Sequence, residues 1–117
     1  MQVPAAFQLA MGRRFPEPLA IALALDAEDT PNPITLHWLT PTPLAPPLLA
    51  ISIERARYSL AAIRGAREFV VSFPSTAMDK EVIYFGTKSG RDVPKLAACG
   101  TPTQPATVVR GVLLADA

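Results

Sequence analysis

Apolar residues in this chain come in short runs bounded by proline, glycine or clustered polar residues, a rhythm that predicts short strands and helices. Residues 1–18 are weakly patterned, with Pro4, Pro16 and Pro18 punctuating them, and read as an arm leading to the first strand. Leu19 to Leu25 (LAIALAL) has helix-favouring composition. Pro18 stands directly before it, however, and the turn-like Asp26-Ala27-Glu28-Asp29-Thr30-Pro31 ends it after seven residues, which predicts a strand. From Ile34 to Thr40, alternation puts Ile34, Leu36, Trp38 and Thr40 on one face and Thr35, His37 and Leu39 on the other. Trp38 is thereby assigned to packing and His37 to the face that lines a site. Pro41, Pro43, Pro46 and Pro47 predict a stiff loop without regular pairing, because each lacks a donor N–H. Leu48 to Ile53 resumes as a short apolar strand with Ser52 its one polar side chain.

In the second half, Tyr58 to Arg67 predicts a helix broken near Gly65, and Glu68 to Phe73 is the clearest strand by propensity. Ser75 or Thr76, with Asp79, reads as the cap of a helix whose core stripe is Met78, Val82, Ile83 and Phe85 and whose end is Gly86. A polar loop from Lys88 leads to a shorter helix, capped by Asp92, holding Lys95 and closed by Gly100. Thr107 to Leu114 reads as a last strand. About five strands with short helices and no βαβ alternation predict a mainly β chain, a small barrel with helices in its connections.

Composition narrows the partners. At 117 residues the chain is long enough for one domain and one core. A net charge of +1 argues against a protein that wraps nucleic acid or anionic lipid. The charge is uneven: eight Lys and Arg between residues 54 and 95 face five carboxylates, an excess suited to a small anion. The lone Cys99 excludes an internal disulfide or a cysteine-based metal site and suggests a reducing cytoplasm. No apolar run approaches the roughly 20 residues of a membrane span, and no signal peptide is recognisable.

Candidate chemistry is sparse. With His37 the only histidine and no nucleophile elbow, a catalytic triad has little to stand on, and one histidine without clustered carboxylates does not hold zinc. Neither a dinucleotide-binding glycine fingerprint nor a P-loop is present. What remains is a set of hydroxyls and cations, including Thr35, Thr40, Ser52, Arg57, Ser59, Thr87, Ser89, Arg91 and Lys95, of the kind a phosphate group needs.

The order of short motifs adds to this. Asn32-x-x-Thr35-x-x-Trp38-x-Thr40-Pro41, Pro46-Pro47-Leu48, Arg57-Tyr58-Ser59, Glu68-Phe69-Val70-Val71 and Gly86-Thr87-x-Ser89-Gly90-Arg91-Asp92-x-x-Lys95 together resemble the flavin reductase-like, FMN-binding split-barrel family, from about Pro18 to Leu114. The resemblance implies a six-stranded Greek-key split β-barrel that dimerises and binds FMN, with FAD the lesser candidate, and that exchanges electrons among NAD(P)H, flavin and an acceptor. Transferred by position, it implies that Asn32, Thr35, His37 and Trp38 line the flavin and its ribityl chain, with Thr40 and Ser52 among the further cofactor-binding residues. Arg57, Tyr58 and Ser59 would lie near the phosphate, with Ser89, Gly90, Arg91 and Lys95 closing the site. It also implies further barrel strands beyond the equivalent of Ala117, and a small hydroxyl residue where His37 stands. A flavin- or phosphate-binding module without turnover, and a truncated barrel without activity, are the alternatives.

Overall fold

The computed structural model of the chain describes residues 6–13 and 16–117, so part of the expected N-terminal arm lies outside the described residues. Within that arm the chain forms a helix, α1 (Phe7–Gly12), with no buried residue. Its Phe-Gln-Leu-Ala-Met run contains no proline and favours helix locally, which the scattered prolines on either side obscured.

The centre of the structure is strand β1 (Ala20–Leu25), which pairs antiparallel on one edge with β2 (Pro31–Leu36) and on the other with β5 (Val70–Ser72). Its alternation is one of size. Ile21 and Leu23 enter a cluster with Met78, Phe85 and Leu114, whereas Ala20 and Ala22 enter a second cluster with Ile34 and Leu36. Both faces are buried, so successive side chains pointing in opposite directions each meet a packed layer. The alanine face sets a close approach: Ala22 stands opposite Ile34, and Ala20 opposite Leu36.

The turn from β1 to β2 is tied by Asp26, whose Oδ1 accepts the backbone N–H groups of Glu28 and Thr30, both at 2.9 Å. Asp29 takes the left-handed conformation there, at φ 59°. The expected turn is thus held by Asx-type hydrogen bonds.

The strand expected over Ile34 to Thr40 divides in two. β2 ends at Leu36, and β3 (Leu39–Leu44) opens a separate hairpin with β4 (Pro47–Ile51). His37 and Trp38 form the joint between them. Alternation therefore does not carry across, and Trp38 is 46% exposed instead of lying in the core. The proline-rich segment, expected to be an unpaired loop, is this hairpin. Its prolines are tolerated because it is exposed and two-stranded, with a register shift between Pro41 and Leu44.

Helix α2 (Tyr58–Ala66) runs through Gly65 and ends at Arg67 in the left-handed conformation, φ 60°. A 3₁₀ turn (Thr76–Met78) leads into α3 (Asp79–Thr87), with no side-chain cap from Ser75 or Thr76. Ile83, expected in the core stripe, is exposed. Gly86 lies inside α3 instead of ending it. A Cβ built there would meet Thr35 Cβ at 3.4 Å, an ordinary contact distance that places α3 directly against β2. Helix α4 (Lys95–Cys99) begins after Pro94 without an Asp92 cap and ends at Gly100, φ 65°.

The predicted last strand is confined to β7 (Val112–Leu114), which pairs with β6 (Thr103–Pro105). Residues 107–111 bend away, with Val108 93% exposed and Arg110 hydrogen-bonded to Asp29 at 2.6 Å. Seven strands thus form one three-stranded sheet and two hairpins among the described residues.

The small face of β1 yields a direct test. Ala22→Leu forces extra methylenes against Ile34 and is expected to destabilise the fold by about 1–3 kcal/mol in urea unfolding. An unchanged denaturation midpoint would show that the alanine face is not closely packed.

Candidate functional site

Two depressions meet at the end of the central sheet, sharing Ile34 and Arg57 as common wall. One, of about 190 Å³, lies between the N-terminus of α2 and the loop joining α3 to α4. Arg57, Tyr58, Ser59, Ser89, Gly90, Arg91 and Lys95 all border it, as do Thr87 and Lys88. No carboxylate is among its lining residues. The other, of about 220 Å³, lies beneath the joint after β2 and is bordered by Thr35, His37, Trp38 and Ser52, with Glu54 and Gly86.

Behind the lining of the first depression, Asn32 supports Ser59 and Gly90. Asn32, 4% exposed, donates from Nδ2 to Ser59 Oγ at 2.8 Å. Because Ser59 Oγ accepts that bond, its own proton is available to an acceptor in the depression. The other end of the Asn32 amide, Oδ1, is buried with no hydrogen-bond partner and lies against Gly90. A Cβ on Gly90 would collide with it and come within 3.1 Å of Tyr58 Cδ1, so only glycine lets the loop approach this closely.

Lys95 is the unusual member. At 2% exposure it is buried, and its Nζ donates to the Phe85 carbonyl at 3.2 Å. That carbonyl belongs to the last turn of α3, where oxygens lack partners within the helix and the dipole favours a cation. No carboxylate pairs with Lys95 among the described residues. Burial, reinforced by the Arg57 charge, pushes its pKa down to about 8. An anion placed here would meet a cation that the fold itself does not neutralise.

The remaining charges stand around the rim. Arg57, half exposed, pairs with Glu54 at 3.3 Å, and the Arg91 guanidinium lies 5.7 Å from the Tyr58 ring centroid. Tyr58 donates to Asp26 Oδ2 at 3.2 Å, and burial together with that carboxylate raises its pKa, keeping the phenol protonated. Ser89 Oγ accepts the Arg91 backbone N–H at 3.2 Å, which fixes the loop.

Of the residues proposed from sequence, Thr35, His37, Trp38, Ser52, Arg57, Tyr58, Ser59, Ser89, Gly90, Arg91 and Lys95 border these two depressions, and Asn32 lies behind Ser59 and Gly90. Thr40 is not among them. It lies on the exposed hairpin and donates to the Pro41 carbonyl at 3.1 Å. Thr35 borders the groove, but its hydroxyl proton goes to the Val82 carbonyl at 2.6 Å and holds β2 to α3. Sequence reasoning missed Glu17, whose Oε2 lies 3.6 Å from His37 Nε2, since nothing in the arm marks it. Cys99 is half-buried against the core, and burial raises its thiol pKa. Among the described residues no group of three His, Cys, Asp or Glu side chains is placed to hold a metal ion, and no helix is long and apolar enough to cross a membrane.

Residues 11–117 match the flavin reductase like domain, and the chain belongs to that family. A flavin reductase (NADPH) of Lentzea aerocolonigenes is 38% identical over 65 residues, which cover 56% of this chain and 38% of that protein. Flavoredoxin of Desulfovibrio vulgaris (Miyazaki F) superposes with a TM-score of 0.82 at 27% identity, over 87% of this chain and 56% of that one. The FMN-binding protein of Thermus thermophilus, solved with bound 1-cyclohex-2-enone, gives 0.79 at 25% identity, over all of this chain and 61% of that one. The fold is thus that of the flavin reductase-like split barrels. The chain spans about two fifths of the length of the curated relatives it matches.

Lys95 makes the electrostatic account testable without any ligand. Its folded pKa lies below that of an unfolded lysine, so the folded state holds the proton less tightly. Lys95→Met removes the buried charge and is expected to stabilise the ligand-free protein at pH 7. That advantage should shrink as pH rises from about 8 towards the unfolded lysine pKa of about 10.4, where the charge is lost in both states. A stability difference that does not vary with pH over this range would show that Lys95 is not held as a desolvated cation.

Proposed function

We propose that the chain binds FMN across the two depressions and passes reducing equivalents among NAD(P)H, flavin and an acceptor. The observation that carries this reading is the buried Lys95, set in a carboxylate-free, hydroxyl-bordered pocket that opens onto a second pocket under His37 and Trp38. The first suits a terminal phosphate: Lys95 and Arg91 supply charge, and Ser59 and Ser89 supply hydroxyls. The second suits a flat ring, walled by Ile34 and Trp38 and edged by His37 and Ser52. The first depression, of about 190 Å³, has room for a phosphate group, and FMN is the simplest flavin to end there.

When bound, the flavin supplies the hydride and one-electron chemistry. The chain's own residues have narrower tasks. Arg57 and Arg91 draw the phosphate in, Ser59 donates the proton that Asn32 leaves free, and Gly90 lets the loop close. Lys95 is fixed by the Phe85 carbonyl before any ligand arrives, so little reorganisation accompanies binding.

The reading extends to a homodimer in a cytoplasmic setting where NAD(P)H is available. Support for a second copy is the apolar outer surface of the β3–β4 hairpin, where Leu44 is 90% exposed and Leu48 55%. Leu44→Asp combined with Leu48→Asp is expected to shift a dimer to monomer in sedimentation velocity, and a monomeric unaltered protein would remove this part of the reading.

The main test is absorbance. Protein mixed with FMN and desalted is expected to remain yellow, and to oxidise NAD(P)H when an electron acceptor is added. Arg91→Ala and Lys95→Ala are each expected to weaken FMN binding by about ten- to a hundredfold, the loss of one charge-assisted hydrogen bond. Affinity should be level between about pH 7 and 8, where the phosphate is a dianion, and fall above pH 8, because the phosphate prefers protonated Lys95 and deprotonation of the free protein then competes with binding. Colourless protein, or unchanged affinity in both variants, overturns the assignment.

A further inference from the structure

Tyr58 borders the anion pocket and also a separate depression of about 420 Å³, so its ring forms the partition between the two. The far depression is floored by one face of α2, where Ala61, Ala62, Gly65 and Ala66 offer the ring no large side chain to lean on. Packing on that side leaves the ring room to move. What holds its tip is the hydroxyl, which donates to Asp26 Oδ2 at 3.2 Å.

Asp26 is a fixed anchor. Its Oδ1 accepts the N–H groups of Glu28 and Thr30, and its own N–H donates to the Thr30 carbonyl at 2.9 Å. One carboxylate oxygen is thus committed to the β1–β2 turn and the other is left for Tyr58. The ring in turn meets the loop that closes the anion pocket. The Arg91 guanidinium lies 5.7 Å from its centroid, and a Cβ on Gly90 would come within 3.1 Å of Tyr58 Cδ1. Arg91 is exposed and forms no ion pair among the described residues, so the aromatic face is what directs its charge. We propose that Asp26 is a positioning residue for the anion pocket: it tethers the Tyr58 ring, and the tethered ring holds Arg91 and the Gly90 backbone at the pocket's edge. The proposal rests on the flavin reading for the identity of the anion.

Charge and position make opposite demands on this residue. A carboxylate near the pocket repels an anion, so removing Asp26 strengthens binding if its charge is all that matters. Removal weakens binding if Asp26 acts through Tyr58. Three substitutions separate the two effects. Asp26→Asn loses the charge and keeps the tether, because its oxygen still accepts the turn N–H groups while its amide donates to the Tyr58 oxygen. Asp26→Ser loses the same charge and keeps a turn-forming oxygen, but it is too short to reach Tyr58. Tyr58→Phe leaves the turn, the carboxylate and the ring in place and deletes only the tether.

The test has a ligand-free arm and a binding arm, with circular dichroism as the fold control. In the ligand-free protein the Nε–H proton of Arg91 senses the Tyr58 ring current, so its NMR signal reports the arrangement directly. That signal should move towards the position of a solvated arginine in Asp26→Ser and in Tyr58→Phe, and stay in place in Asp26→Asn. FMN affinity should fall about three- to tenfold in Asp26→Ser and in Tyr58→Phe, and be retained or raised in Asp26→Asn. In an Arg91→Ala background neither weakening substitution should cost more than about twofold, since both act through the side chain already removed. An unmoved Arg91 signal, Asp26→Ser binding as tightly as Asp26→Asn, or losses that simply add to that of Arg91→Ala would overturn the proposal. Inorganic phosphate separates it from the flavin reading. Protein that retains no FMN, yet whose Arg91 signal responds to phosphate and does so more weakly in Asp26→Ser, would sink the flavin reading and leave the role of Asp26 standing. No response to either anion would overturn both.

Discussion

Burial of β1 on both faces is the constraint on which the other elements depend. A strand with one wet face tolerates polar residues at every second position, but Ala20–Leu25 has none, because Ile21 and Leu23 meet the layer of Met78 and Phe85 while Ala20 and Ala22 meet Ile34 and Leu36. Register follows from this. Slipping β2 by one residue would turn Ile34 and Leu36 away from the alanines and move Thr35 off the Val82 carbonyl. The same register sets Asn32 opposite Ala24, where its amide reaches Ser59. Geometry in the core and geometry in the site are one specification.

Against that rigid centre the site is electrostatically unbalanced. A cation is buried at Lys95, a second stands at Arg57, and the amide oxygen of Asn32 has no donor. The buried lysine and the unpartnered amide oxygen each raise the free energy of the folded chain, whereas Arg57 is half exposed and paired with Glu54. The helix end supplies partial compensation through the Phe85 carbonyl, and the hydrophobic layers on β1 carry the rest. Such imbalance is what a binding pocket for an anion needs, since fully paired charges would have nothing left to offer a ligand.

Much of this was legible in sequence for local reasons. Pro18 and the Asp26 turn bound β1, and the segment Ser89-Gly90-Arg91-Asp92-x-x-Lys95, through the family resemblance more than through spacing, points to residues that border the carboxylate-free depression. What failed was non-local. Alternation alone extends the strand through His37 and puts Trp38 in the core, whereas the chain leaves the sheet at Leu36. Prolines forbid a ladder in central strands, a rule that relaxes on an exposed hairpin such as β3–β4. The burial of Lys95 has no sequence signature, because it depends on α3 ending above α4. Glu17 likewise meets His37 only through tertiary folding.

The β3–β4 hairpin has a property that comes from its composition. Pro41, Pro43, Pro46 and Pro47 carry no backbone N–H, so a large share of the donors that an outer strand would normally offer is missing. An edge of this kind is a poor template for strand addition, and so for the growth of intermolecular sheets, despite leucines exposed along it. Whatever meets this surface must do so through side chains, fitting shape to shape, which lets the hairpin be sticky without being prone to polymerise.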